Sequence, residues 1–172
     1  QSLSESSGHA GSIDISSASL TIDGRGAGDT DKKHLKAFIR SEVVRDNGRA
    51  GDITLKGKAG NSHSNNVWIV DKGSISTTGE GGEISVFARN LFIDGEGRME
   101  ILRDPDTGEP LTELVPAFTG ISTRVSKTGT GIGGNITING NNGTIWIQQG
   151  GIIDAGTQSQ YNGSSGGSIS VR

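Results

Sequence analysis

Six carboxylates crowd one stretch of this chain: Glu96, Glu100, Asp104, Asp106, Glu109 and Glu113. Paired carboxylates can act as the acid and base of glycoside cleavage, or can hold calcium. All six lie in a single segment, however, with no second acidic cluster on neighbouring repeats, so solvated loop charge is the better reading. The stretch Gly26–Asp31 lacks the nonapeptide repeat of calcium-binding β-rolls. His9, His34 and His63 are far apart, and no nucleophile–base constellation can be built on them. Cysteine is absent, which excludes disulfides and thiolate metal sites. No catalytic, cofactor or metal residue is therefore assigned. Asn135, Asn142 and Asn162 open glycosylation-type sequons, in a chain whose Asn, Gly and Ser content produces such triplets by composition.

The aromatic residues are more informative. Trp68, Phe92 and Trp146 each sit between two aliphatics, in Val67-Trp68-Ile69, Leu91-Phe92-Ile93 and Ile145-Trp146-Ile147. Leu20-Thr21-Ile22 has the same form. If the flanking aliphatics face a core, the central residues form an outward column. Such rings can stack on a sugar or dock against another chain. The plainer alternative is that they cover a sheet beneath a loop.

A five-residue phrase positions these triplets. It reads glycine, polar, aliphatic, polar, aliphatic, and begins at Gly11, Gly51, Gly82, Gly134 and Gly167. Alternation of this kind marks a strand with one buried face, and its recurrence marks a stacked repeat. The triplet follows each of the first four copies, and a third short motif follows it, centred on Ile39, Ile75, Ile121 and Ile153. Each unit thus holds three short strands separated by Gly, Asn and Ser turns.

The copies are spaced by 40, 31, 52 and 33 residues. A basic coil near the shorter spacings, with loops added, accounts for all four. Ile69 to Ile75 and Ile147 to Ile153 are 6 apart, whereas Ile22 to Ile39 is 17 and Ile93 to Ile121 is 28. Coils one and three therefore carry insertions at the same corner, about 24–36 and 95–118, and coil two carries a smaller one, about 57–66. Leu35, Phe38, Ile101, Leu102, Leu111, Leu114, Val115 and Phe118 would order the two larger loops as a small apolar cluster. All three prolines lie in the largest insertion, as a continuously hydrogen-bonded sheet requires.

The expected fold is all-β: a right-handed parallel β-helix, or β-solenoid, with three short strands per coil, about four complete coils and part of a fifth. The whole of 1–172 is one solenoid segment. Its inward columns are Ile13, Ile53, Ile84, Ile136 and Ile169 on one face, the flanks of the triplets on the second, and Ile39, Ile75, Ile121 and Ile153 on the third. With 29 glycines and 4% aromatics, the chain is poor in large apolar side chains for a conventional core, yet a thin solenoid needs only one or two aliphatics per strand. The net charge of −3 implies no attraction to nucleic acid, and no apolar run reaches transmembrane length. Ser-rich turn material precedes the first phrase, and the chain looks cut from a longer rod, without a capping segment.

The stretches "GHAGSIDISSASLTIDG", "GGEISVFARNLFIDGEG" and "GGNITINGNNGTIWIQQGGIIDAGT" resemble the rod repeats of filamentous-haemagglutinin-like large exoproteins, the secreted partners of bacterial two-partner secretion. The resemblance covers nearly all of the chain outside the insertions. It implies a parallel β-helix on the surface of, or secreted from, a Gram-negative-type bacterium, exported by an outer-membrane transporter and serving adhesion or display. The Asn-Pro-Asn type motif of that family's secretion domain is absent, so transport by that route is implied only for a parent protein. The expected partners are a surface receptor, a glycan or neighbouring copies, with Trp68, Phe92 and Trp146 as contact residues. A polysaccharide lyase or hydrolase, and a self-stacking filament subunit, are the alternatives. Some pectin-cleaving enzymes share the parallel β-helix, but the outward positions of the first strands are Asp14, Thr54, Ser85, Thr137 and Ser170, mostly hydroxyls with one acid. No enzyme activity is expected.

Overall fold

The computed structural model of the chain describes residues 1–4, 8–25, 37–43, 48–58, 61–103, 109–125, 129, 131–157, 159 and 163–172. Among them no helix occurs, and nearly every strand pairs in parallel. One sheet runs β1 (Ser2–Ser4), β4 (Phe38–Val43), β7 (Ser74–Thr78), β11 (Thr119–Arg124), β14 (Gly151–Asp154). The other runs β2 (Ile13–Ser16), β5 (Ile53–Lys56), β8 (Ile84–Asp94), β12 (Ile136–Asn139), β15 (Ile169–Val171). The far half of β8 also pairs with β6 (Ser64–Val70) and β13 (Ile145–Gln148), and β6 pairs with β3 (Ser19–Asp23). The exception to parallel pairing is the antiparallel hairpin of β9 (Met99–Arg103) and β10 (Pro110–Pro116). Strands distant in sequence pair side by side while neighbours in sequence mostly do not, an arrangement compatible with a β-solenoid.

The registers follow the repeats. Ile13, Ile53, Ile84, Ile136 and Ile169 are successive Cα partners. So are Ile39, Ile75, Ile121 and Ile153, and the triplets pair residue for residue. Ile53, Ile75, Ile84, Leu91, Ile93, Ile121 and Ile136 are fully buried in one continuous core. A register slip of one residue would turn all of these aliphatics to water, so the alternation fixes the pairing. Ile147, Ile169 and Val171 are exposed, because they lie on the last strands and nothing among the described residues stacks over them.

Two polar columns complete the stack. Ser41, Thr77 and Thr123 pair as inward hydroxyls at the ends of β4, β7 and β11 and are fully or almost fully buried. Each donates to the carbonyl of a phrase-leading glycine: Ser41 to Gly11 (3.2 Å), Thr77 to Gly82 (2.8 Å), Thr123 to Gly134 (2.5 Å). These bonds satisfy corner carbonyls that no strand pairs. The second residue of the phrase forms the other column. The Glu83 N–H donates to Asp52 Oδ1 (2.9 Å), Asn135 Nδ2 to Glu83 Oε1 (3.2 Å), and the Ser168 N–H to Asn135 Oδ1 (2.9 Å). At Gly51, Gly134 and Gly167 the backbone of the neighbouring repeat approaches too closely for a side chain. A Cβ on Gly134 would lie 1.8 Å from the Gly82 carbonyl oxygen, and one on Gly167 would lie 2.0 Å from that of Gly134.

The structure departs from the sequence expectations in several places. Ser2–Ser4 is a strand on the edge of β4, not turn material, with Ser2 opposite Ser41. Its only aliphatic, Leu3, takes an outward position and is exposed, so no inward apolar residue betrays the strand. The first and second strands of the third repeat are one strand, β8, because Phe87-Ala88-Arg89-Asn90 contains no Gly or Pro and Ala88 is buried in line with its neighbours. β6 begins at Ser64, inside the expected 57–66 insertion. Buried Ser64 donates to the Ser17 and Lys56 carbonyls there and draws the strand back onto its neighbours. The largest insertion is not a bare acidic loop but carries the β9–β10 hairpin.

Among the described residues the apolar cluster expected at the two larger insertions is not formed. Phe38, Ile101, Leu111 and Leu114 are exposed and Val115 and Phe118 are half-buried. Leu35 and the Leu102 side chain lie outside the described residues. Strand alternation in the hairpin explains this: Glu100 and Val115 pair on its half-buried face, which sends Met99, Ile101 and Leu114 to water. Arg25 bonds both oxygens of Asp23 and reaches Glu96 Oε1 at 3.3 Å, joining the ends of β3 and β8. The hydrogen-bonded Arg25 guanidinium keeps the Asp23 carboxyl below its ordinary value.

Candidate surface contact site

β3, β6, β8 and β13 set Thr21, Trp68, Phe92 and Trp146 in one column by direct pairing. The flanking aliphatics point into the core, so pleating sends the central side chains out. Trp68 is 37% exposed and Trp146 55%, and no loop covers them among the described residues. The Trp68 and Phe92 rings stack with centroids 5.8 Å apart and planes 20° from parallel. That is the spacing of neighbouring strands with the rings slightly offset, the favoured geometry for two aromatic quadrupoles.

A second outward column runs beside the first: Asp23, Val70, Asp94 and Gln148. Between the two columns lies a cavity of ≈ 310 Å³, open to solvent, with Ile93 beneath it. Its walls are the three rings and Val70, and its polar edge is Asp94 and Gln148. Gln148 Nε2 donates to Asp94 Oδ2 (2.8 Å), and the Glu96 N–H donates to Asp94 Oδ1 (2.9 Å), so this carboxylate is held in place. Flat apolar walls with an oriented polar edge suit a ligand that is itself two-faced.

The chain matches no family model, no curated protein and no solved structure. The site is therefore weighed on its geometry.

The acidic insertion is dispersed. Glu96 turns to Arg25 and Glu100 is half-buried beneath the hairpin, whereas Glu109 and Glu113 are exposed. Asp104 and Asp106 lie outside the described residues. Among the described residues no group of three or more His, Asp or Glu could hold a metal ion. His9 Nδ1 accepts from the Arg49 N–H (3.3 Å). His63 meets Ser62 Oγ at 2.7 Å and packs edge-on against Phe87, and among the described residues no carboxylate orients it. His34 and the Gly26–Asp31 stretch fall outside the described residues. Of the sequons, Asn135 has its amide engaged in the polar column, Asn142 sits in a left-handed turn (φ 64°), and Asn162 is not described.

Sequence reasoning missed a second surface. The outward face of β4, β7 and β11 forms, with the base of the hairpin, a separate cleft of ≈ 370 Å³. Its signal is the alternation in Ser74-Ile75-Ser76 and Gly120-Ile121-Ser122, which turns small polar residues outward beside the inward Ile75 and Ile121.

Proposed function

We propose that this chain is an extracellular structural and adhesive rod segment of the filamentous-haemagglutinin type, with surface contacts made by Trp68, Phe92 and Trp146. In this reading it is a right-handed parallel β-helix of about four complete coils and part of a fifth. It belongs to a parent protein secreted by a Gram-negative-type bacterium through an outer-membrane transporter. The observation that carries the proposal is the in-register pairing of all five copies of the phrase, from Ile13 through Ile169. A chain built as a stack of equivalent rungs offers long ladders of repeated side chains, which suits attachment along a surface more than chemistry at one point. Right-handedness follows from the general rule for parallel crossovers. The partners are a surface receptor, a glycan or neighbouring copies, met through the aromatic column.

The double substitution Trp68→Ala with Trp146→Ala tests it. Both rings point outward, so the thermal melt should stay nearly unchanged. Retention of the labelled protein on cell-coated or glycan-coated surfaces should fall roughly fivefold or more, as expected on removing aromatic anchors. Unchanged retention would remove the column from the account. Turnover of pectin or a related glycan by the purified chain would favour the β-helical lyase or hydrolase instead.

A further inference from the structure

The groove between the two outward columns holds a carboxylate that the fold leaves without a counter-ion. The acids around it have cations beside them. Asp23 and Glu96 both pair with Arg25, and Asp71 Oδ1 lies 3.3 Å from Arg98 Nε. Among the described residues no cation pairs with Asp94. Each of its oxygens accepts one hydrogen bond, Oδ1 from the Glu96 N–H and Oδ2 from Gln148 Nε2. A carboxylate offers about four lone-pair positions, so each oxygen keeps capacity for one more donor. Asp94 is half-buried and lines the open cavity, within reach of a ligand seated there.

The rings stand beside this carboxylate. Trp146 pairs with Phe92 and Gln148 with Asp94, so Trp146 and Asp94 are diagonal neighbours on one face. Trp68 and Phe92 stack on each other, whereas the Trp146 indole is in no ring pair among the described residues and is 55% exposed. The face of an indole is electron-rich, and beside a carboxylate it attracts a cation. The cavity of ≈ 310 Å³ is at the small end of ligand sites, roughly 300–1,000 Å³, and holds one side chain better than a long ligand. An ammonium would meet Asp94 as a point charge. A guanidinium is a planar fork: it donates to both carboxylate oxygens at once and lies flat on an aromatic face. Val70 and Ile93 offer apolar contact to the methylene stem that carries it.

From this geometry we propose that the groove binds an arginine side chain presented by another protein. The proposal rests on the reading of Trp68, Phe92 and Trp146 as contact residues, and it narrows their partner to a protein surface with an exposed arginine. Charge complementarity selects that occupant. A neutral sugar would use the rings and leave Asp94 without a counter-charge. Copies of this chain, each with a net charge of −3, repel one another, which favours a foreign partner over a second copy.

Trp68 and Trp146 are the chain's two tryptophans, so their indole N–H signals in NMR report from the groove itself. The probes are short capped glycine peptides with a central arginine, lysine or citrulline, and, in a separate arm, the neutral disaccharides lactose and cellobiose. The arginine peptide should shift both indole signals saturably. The lysine peptide should bind about fivefold more weakly, for want of the planar fork. Citrulline keeps the shape without the charge and should bind at least about tenfold more weakly. Asp94→Asn should weaken the arginine peptide by about tenfold or more. Asp14→Asn, the same loss of charge on the exposed face of β2, should leave its binding unchanged. Should Asp94→Asn not fold, the citrulline comparison on the parent chain carries the test. The proposal fails if neither indole signal responds to arginine, if citrulline binds as tightly, or if a folded Asp94→Asn keeps the binding. It fails also if a disaccharide binds more tightly than the arginine peptide, or if the chain self-associates in sedimentation and Asp94→Asn abolishes that. The contact reading is judged apart, by surface retention of Trp68→Ala with Trp146→Ala: retention lost in that variant, with no arginine binding by the parent, sinks the arginine proposal and leaves the rings as a contact surface.

Discussion

Ile84→Asp will abolish the cooperative thermal melt, whereas Ser85→Asp will leave it nearly where it was. Ile84 is completely buried in the middle of its column, with Ile53 on one side and Ile136 on the other. Among the described residues no cation lines that core, so an aspartate there must be either buried charged without a partner or protonated against its chemistry. The expected loss is about 4–5 kcal/mol or more, in the range of the severest single substitutions. A domain with about 5–15 kcal/mol of total stability does not readily absorb it. Ser85 is one residue on and pleats to the other face, where its column partners are Thr54 and Thr137. A carboxylate there remains solvated. Equal sensitivity of the two positions would contradict the register.

The second large effect belongs to the leading glycines. Gly134→Ala should lower stability by about 3 kcal/mol, the upper end of overpacking costs. A Cβ there would lie 1.8 Å from the Gly82 carbonyl oxygen, and backbone cannot swing aside as a flexible side chain can. Any shift would also strain the 2.5 Å bond from Thr123 to the Gly134 carbonyl. Gly140→Ala is the matched control, because a Cβ at that position meets its nearest neighbour at an ordinary 3.6 Å. Thermal melts of the two variants separate close approach from the general effect of removing a glycine. If both melted alike, the glycines would be serving chain flexibility and not contact between strands.

Much of this was legible in the residues. Alternation in Gly82-Glu83-Ile84-Ser85-Val86 and its four counterparts fixes strand type, inward face and partner at once, because the same pattern recurs and only one register buries every aliphatic. The outward aromatic column follows from the same logic. What could not be read was set by contacts whose local sequence carries no pattern. Ser2–Ser4 pairs through its backbone, and serine advertises no buried face. The hairpin was hidden because its outward face, Met99, Ile101 and Leu114, is the more apolar one, so alternation there points the wrong way. The role of Ser41, Thr77 and Thr123 appears only when the fold brings the carbonyl of a phrase-leading glycine beside each of them. The cleft on the outer face needs two separate segments, the β4–β7–β11 surface and the hairpin base, and no spacing in the sequence joins them.

The most direct test of the stacked-repeat account uses the absence of cysteine, which gives a clean background for engineered crosslinks. Ser85 and Thr137 are Cα partners on outward positions of adjacent strands, and Ser170 is the partner of Thr137 one strand further on. Ser85→Cys with Thr137→Cys should oxidise to an intrachain disulfide under mild conditions, because neighbouring strands lie about 4.8 Å apart. Ser85→Cys with Ser170→Cys should not, since two spacings of roughly 10 Å exceed the reach of the bond. Rapid crosslinking of the first pair alone, read by mass spectrometry of non-reduced peptides, is the predicted result. Crosslinking of the second pair in preference to the first, or of neither, would contradict the account.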